Sequence, residues 1–364
     1  MVNYTIGCDA HKHFSVFAVL DHHGKLCSHQ RVEHETGAIR KFLEGFPAST
    51  PVAIESVGNW YWIVDEIEAA HCLPLLTNPA KAKVMMGKVN KTDKLDAQSL
   101  ATLLRLGTLP SVWVPPGEVR DMRELPRTRI ALCKLRVALK NRIHATLAKY
   151  NLKLDGASDI SLLKWREDLL AALERLPPET QHCMQAELTA LEQLSTQILS
   201  LEKRIAEHTK TSKSLQLIQT LPAIGNILAI VIDRELGSIK RFPDAEHYAN
   251  YCGVVPTVSG SADKFHYGHL RKQANQYLKW AYIEAANGVA LRHNHPAWRN
   301  RHVSRLYRRI CRRKGHKTAI GAVARHLAEA TYWVLTKQEP YREPAKPQQV
   351  GRKSGLARGM TCTH

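Results

Sequence analysis

Val2, Tyr4, Ile6 and Cys8 alternate with Asn3, Thr5, Gly7 and Asp9, a period of two that predicts a strand. Phe14 to Leu20 is a second, mostly apolar run, ended by the turn-like Asp21-His22-His23-Gly24. Lys25 to Val32 reads as a third strand, paired back by a hairpin. Thr36 to Phe46 predicts a helix, Val52 to Glu55 a short strand, Trp60 to Ala70 a helix and Leu73 to Thr77 a last strand. After a short helix over Ala80–Met86, a longer helical pattern opens at Asp93 and runs through Leu100, Leu103, Leu104 and Leu106 to Gly107.

Three meandering strands followed by alternating helices and strands is the order of an α/β RNase H-like domain, here residues 1–115. From Pro115-Pro116-Gly117 the pattern turns helical and basic, with Arg127, Arg129, Lys134, Arg136, Lys140, Arg142 and Lys149 between Val119 and Tyr150. Breakers around Gly156 and at Pro177-Pro178 interrupt a second helical stretch. Leu191, Leu194, Ile198, Leu201 and Ile205 then step by three and four, a short coiled-coil seam that needs a partner helix in its own chain or another. Residues 116–210 are therefore expected to form a basic helical and coiled-coil region. Residues 211–340 are expected to form a mostly α domain, and the Pro-, Lys-, Arg- and Gly-rich 341–364 a disordered tail.

The chain has 364 residues with Lys+Arg 52 against Asp+Glu 33, a net charge of +19 in a chain that is 44% hydrophobic. That balance describes a folded protein whose partner is a polyanion. No apolar run of about 18 residues is present, which argues against a membrane span. The first residues enter a strand pattern at once rather than a signal peptide, so a cytoplasmic location is expected. The 8 cysteines are scattered, without a CxxC pair or a Cys/His cluster at zinc spacing, and read as reduced thiols.

Four acids stand out. Asp93 and Asp96, three apart, share a helix face with the apolar stripe of Leu100 and Leu103, an odd place for solvated acids. Taken alone they fit a helix start, with Asp93 as N-cap and Asp96 in the first turn. Asp9 ends the first strand and Glu55 the fourth, and sites in open α/β sheets gather outside the carboxyl ends of strands. Two carboxylates about 4 Å apart repel by roughly 4 kcal/mol at an effective dielectric of about 20. Four gathered together need cations, and hard oxygen ligands suit Mg²⁺ or Mn²⁺. A pair of such ions clamps the attacking and leaving oxygens of a phosphodiester.

Farther on, Leu221-Pro222-Ala223-Ile224-Gly225-Asn226 looks like a helix-hairpin-helix turn, with Gly225 at a helix start that can receive phosphate. The first glycine expected of that turn is Ala223. A Gly/Ser-rich loop, Val258-Ser259-Gly260-Ser261-Ala262, precedes Lys264, His266, His269, Arg271 and Lys272, groups able to favour a serine alkoxide. Between Ala285 and Ala328 there is no acid, while Arg305, Arg308, Arg309, Arg312, Arg313 and Lys314 lie within that span. A one-signed run of this length repels itself, and a phosphate backbone supplies its counter-charge. Trp298, Tyr307 and Trp333 lie in or beside that span, where they can stack on bases, with core packing the favoured reading for Trp333.

Together these motifs resemble insertion-sequence transposases with an N-terminal RuvC-like DEDD domain and a C-terminal serine transposase domain, akin to pilin-gene inverting recombinases. The stretches that carry the resemblance are GCDAHK, AIESVGNWYW, KTDKLDAQSLATLLRLG, LPAIG, YCGVVPTVSGSADKFHYGHLRKQANQYLKWAYIEAA and KGHKTAIGAVARHLA, in order, reaching to about Tyr341. The resemblance puts the family's acids on Asp9, Glu55, Asp93 and Asp96 and its serine on Ser261, with Ser259 close by; Ala262 departs from the family's glycine. It implies a homo-oligomer that joins acids and serine of different protomers, acting on DNA and, in some relatives, directed by a structured guide RNA. The expectation is metal-dependent DNA strand exchange in transposition, with Ser261 as nucleophile. Two other readings are a junction nuclease in which water attacks, and a non-catalytic nucleic-acid-binding protein.

Overall fold

The computed structural model describes residues 4–87, 92–152, 166–261 and 264–344; the expected tail from residue 345 and the breakers around Gly156 lie outside them. Of Ser261 and Lys264 only the backbone is described. The chain divides into two compact units, Met1–Pro116 and Gly117–His364.

In the first unit the order is β1 (Tyr4–Ala10), β2 (Phe14–Asp21), β3 (Leu26–Glu33), α1 (Ala38–Leu43), β4 (Pro51–Glu55), α2 (Trp60–Ala69), β5 (Leu73–Thr77), α3 (Pro79–Met86) and α4 (Asp93–Arg105). The strands form one sheet ordered β3-β2-β1-β4-β5. The meander β1–β2–β3 is antiparallel, while β4 and β5 run parallel to β1. Alternation along the strands sorts the two faces. Ile6, Cys8, Phe17, Val19, Val52 and Ile54 pack with Ile39, Leu43, Ile63 and Ile67 of α1 and α2. Residues of the opposite parity, among them Val16, Ala18 and Ala53, face α4 through Ala97 and Leu100.

The α4 face is built from small residues, and Gly7 is the tightest point. A Cβ at Gly7 would lie 2.0 Å from the carbonyl oxygen of Ala97 and 2.6 Å from the amide nitrogen of Ala101. Helix and strand thus touch backbone to backbone, which only glycine permits. The pattern of alternation did not show this, because Gly7 occupies an ordinary polar position in it.

In the second unit the elements are α5 (Gly117–Lys149), α6 (Arg166–Glu174), α7 (Pro178–Thr211), α8 (Lys213–Gln219), α9 (Asn226–Leu236), α10 (Ala245–Tyr251), β6 (Pro256–Ser261), β7 (Lys264–Leu270), α11 (Gln276–Arg292), α12 (His302–Lys314) and α13 (His316–Lys337). The seam on α7 finds its partner within the chain: α7 packs along α5, with Leu191 beside Ile143 and Leu147, and Ile205 beside Ile130. Pro256–Ser261 and Lys264–Leu270 pair as two antiparallel strands, where their Gly/Ser content suggests a loop. Tyr341 and Glu343, at the start of the expected tail, are tied down. The Tyr341 amide donates to Thr220 Oγ1 (2.8 Å), and Glu343 Oε2 accepts from the His302 amide (2.7 Å).

The α5 helix is not simply a basic face. Arg127 donates to both carboxylate oxygens of the fully buried Glu235 (2.6 and 3.0 Å), and Asn275 Nδ2 donates to Oε2 of the same group (2.8 Å). Arg129 is paired with Glu202 and Arg142 with Glu187. Several cations of the expected nucleic-acid face are therefore neutralised within the unit.

Replacing Gly7 by alanine is expected to lower stability by about 1–3 kcal/mol, the usual cost of overpacking, and to shift α4 off β1. Thermal unfolding measures the first effect and divalent-ion titration the second. Unchanged stability together with unchanged ion binding would contradict the close-contact reading.

Candidate metal centre and nucleic-acid surface

Parity carries the acids to one place. Gly7 and Asp9 lie on the face of β1 that meets α4, and Ala53 and Glu55 on the same face of β4. The β1–β4 pairing runs through Cys8 and Ile54, so Asp9 and Glu55 follow as the next residues on adjacent strand ends. Above them α4 begins. Thr92, not Asp93, is its N-cap: its hydroxyl accepts from the Leu95 amide at 3.3 Å. Asp93 is the first helical residue and Asp96 lies in the first turn, where both favour the helix dipole.

His11 joins this group. Its Nε2 lies 3.2 Å from Asp9 Oδ2 and 3.4 Å from Asp93 Oδ2. The three ligand atoms all fall within 4.8 Å of one another. The same Nε2 is shielded from solvent and lacks an aligned hydrogen bond. Burial pushes Asp9 above the ordinary carboxylate range; the nearby His11 opposes that, and Asp96 and Asp93 add to it. Asp9 thus senses Asp93, Asp96 and His11 directly, while Glu55 is placed by strand register. The set of carboxylate oxygens and one imidazole fits a divalent cation, whose charge would relieve the repulsion among the acids. His11 was visible only as the residue after a turn; its signal is an Asp-x-His spacing at a strand end.

The serine region has a different setting. Ser261 ends β6 and pairs with Lys264 of β7, and Ser259 pairs with His266. Arg271 and Lys272 are exposed just beyond β7. In the helix-hairpin-helix-like turn, Ala223 takes the left-handed conformation (φ 61°) expected of the glycine it replaces. Gly225 is the exposed N-cap of α9.

The basic run of α12 is mixed in role. Arg308 donates to the carbonyls of His293 and Arg299, both at 2.6 Å, and Arg305 donates to the carbonyl of Asn300. Arg309, Arg312, Arg313 and Lys314 are exposed. The aromatic expectations are partly reversed. Tyr307 is buried, its hydroxyl bonded to His316 Nδ1 (2.9 Å), and belongs to the core. Trp333, expected in the core, is 51% exposed because it sits on the outer side of α13. Trp298 is half-buried, with the guanidinium groups of Arg301 and Arg292 over its ring. Among the described residues no helix is long and apolar enough to cross a membrane.

An α/β unit with acids gathered at strand ends, followed by a basic helical unit, is the make-up of a DNA-processing enzyme, and the relatives of the chain are transposases. Residues 6–152 match the DEDD transposase family of IS110 type, and residues 215–303 match the transposase IS116/IS110/IS902 family. The chain belongs to the IS110/IS116 family of transposases. It is 26% identical over 255 residues to the transposase for insertion sequence element IS1111A of Coxiella burnetii, covering 70% of this chain and 69% of that protein. It is 24% identical over 308 residues to the transposase for insertion sequence element IS1328 of Yersinia enterocolitica, covering 81% and 87%.

Asp9→Asn is expected to raise the thermal stability of the metal-free protein. A carboxylate whose folded pKa is raised contributes stability when protonated and loses it as pH climbs through that pKa. The gain of the asparagine variant over the parent should therefore be absent at low pH and grow above the ordinary carboxylate range. Melting curves in a chelator across pH test this; a variant less stable than the parent at pH 7 contradicts it.

Proposed function

We propose that this transposase cuts and rejoins DNA through a serine nucleophile acting beside a divalent cation. The observation that supports it most is that Asp9, at the end of β1, shares the His11 imidazole with Asp93 of the first turn of α4 and is influenced by Asp96 of the same turn, with Glu55 on the neighbouring strand end. The strand order β3-β2-β1-β4-β5 supports an RNase H-like, RuvC-type DEDD reading of residues 1–115. On this reading residues 116–210 are a basic helical and coiled-coil region and residues 211–340 the serine transposase domain.

Asp9, Glu55, Asp93 and Asp96 hold Mg²⁺ or Mn²⁺. When bound, the ion neutralises charge on the phosphate oxygens. Ser261 Oγ attacks phosphorus: the Oγ–P bond forms, one P–O bond of the DNA breaks, the serine proton departs, and the displaced strand oxygen takes up a proton. The phosphoserine link conserves the bond for rejoining. Lys264, Arg271 and Lys272 lie nearest in sequence to that serine and counter the negative charge that develops. Gly225 and the cations Arg305, Arg308, Arg309, Arg312, Arg313 and Lys314 bind nucleic acid, with the exposed Arg309, Arg312, Arg313 and Lys314 in direct contact and Arg305 and Arg308 ordering the surface. The partners are the DNA of element ends and target, a structured guide RNA from the element, and further copies of the chain in a dimer or tetramer. The protein acts in the cytoplasm, at the nucleoid. The second reading, hydrolysis by water, is favoured by the cluster itself, since the acids alone equip a nuclease.

Purified protein, DNA carrying the element ends and RNA from the flanking non-coding region test the reading together. Asp9→Ala and Ser261→Ala should each reduce recombination by on the order of 10³-fold or more, while Ser259→Ala retains it. An SDS-resistant, protease-sensitive DNA adduct should form with the parent and vanish with Ser261→Ala. Cleavage without any adduct supports hydrolysis by water, and normal recombination by Ser261→Ala refutes the serine step. Arg312→Gln and Arg313→Gln should each reduce the slope of log affinity against log salt by about one, as binding isotherms at several salt concentrations will read.

A further inference from the structure

We infer that His11 is a nitrogen ligand of the cation held by the acidic cluster and that it biases this site toward Mn²⁺ over Mg²⁺. The inference rests on the metal-binding reading above and goes beyond it, since the acids alone make an all-oxygen site.

The spacing of the donor atoms carries the argument. Neighbouring ligands of an octahedral ion, each about 2.1 Å from it, stand about 3 Å apart. His11 Nε2 lies 3.2 Å from Asp9 Oδ2 and 3.4 Å from Asp93 Oδ2, close to that separation. Nε2 is shielded from water and faces both carboxylates at once. A nitrogen so enclosed between two carboxylates is placed to share a cation with both.

The imidazole is also held in place from several sides. Its ring stacks on Phe14 (centroids 4.6 Å apart, 29° between planes), and the Arg31 guanidinium lies 3.5 Å over the same phenyl ring. The His11 amide donates to the Phe14 carbonyl (2.9 Å), and the His11 carbonyl accepts from Asn59 Nδ2 (2.7 Å). Phe14 thus acts as a positioning residue for the ring. A ligand ordered before the ion arrives loses little freedom on binding it. Imidazole is a softer donor than carboxylate. Mg²⁺, which keeps its waters and prefers oxygen, gains less from it than a transition ion.

The test uses full-length protein loaded with Mn²⁺ and read by pulsed EPR, which detects nitrogen bonded to the ion. The parent should show nitrogen modulation that changes pattern when histidine is labelled with ¹⁵N, a measurement that needs no variant. His11→Ala should lose the modulation and bind Mn²⁺ about tenfold more weakly, with Mg²⁺ affinity altered by less than about threefold. His11→Gln, an oxygen donor of similar length, should bind ions but show no nitrogen modulation, and should lose most of the parent's preference for Mn²⁺ over Mg²⁺. Bound Mn²⁺ without nitrogen modulation overturns the inference and leaves the acid site standing. Failure of the parent to bind Mn²⁺ at all overturns the metal reading beneath it.

Discussion

The first unit depends on a contact that contains no side chain on one side: the backbone of β1 at Gly7 against the backbone of α4 at Ala97 and Ala101. Small residues at Ala18, Ala53 and Ala97 widen that close approach into a face. Because α4 rests so near the sheet, its first turn overhangs the ends of β1 and β4, and Asp93 comes within reach of the same imidazole as Asp9. A helix held off the sheet by larger side chains would carry Asp93 away from Asp9 and the imidazole between them. Closeness has an electrostatic cost. Asp9 is held above its ordinary range by burial and by its acidic neighbours, so its ionised form is disfavoured in the folded protein.

In the second unit the central interaction is also a charge removed from water. Glu235 is fully buried and reached by Arg127 from α5 and by Asn275. Arg123, also on α5, donates to the backbone carbonyls of Arg234 and Glu235. Asn275 in turn caps α11, its side-chain oxygen accepting from the amides of Tyr277 and Leu278. A buried carboxylate is tolerated only when so paired, and this one joins α5, α9 and the start of α11. The consequence reaches the net charge of +19. Part of it serves internal pairing, and the surface available to a polyanion is narrower than the count implies.

Sequence reading located the α/β order, the five strands and the α4 helix because alternation and heptad-like spacing are local signals. It placed the acids at strand ends by the same route, since Asp9 and Glu55 simply follow apolar runs. It missed what depends on pairing across long separations. Gly7 reads as one more polar position; its role emerges only against Ala97 and Ala101. Glu235 looks like any acid near a helix end until Arg127 arrives from 108 residues away. Tyr307 and Trp333 exchanged roles for a related reason: in short basic or mixed stretches, a single aromatic does not reveal which face its helix buries. The paired strands β6 and β7 were hidden by their composition, because Gly, Ser, Thr and His give a strand little hydrophobic signature.

Those paired strands are held quite differently from the sheet of the first unit. Two strands alone are marginally stable in water, so their order must come from their root. Gly253 turns there at φ 69°, against Ala274, where a Cβ would come within 2.4 Å of that alanine's own. The Arg271 amide donates to the Val255 carbonyl, the Asn275 amide to the Tyr251 carbonyl, and Lys279 Nζ to the Arg271 carbonyl. Leu270 packs toward Gly321 of α13. Beyond this root the strands emerge into solvent, with Val258 53% and Tyr267 72% exposed as a directly paired couple. Ser259 is likewise exposed. A segment fixed at its base and exposed beyond it can move without disturbing the core. Asp9 and Glu55, by contrast, sit at the ends of paired strands beneath a helix seated backbone to backbone on β1.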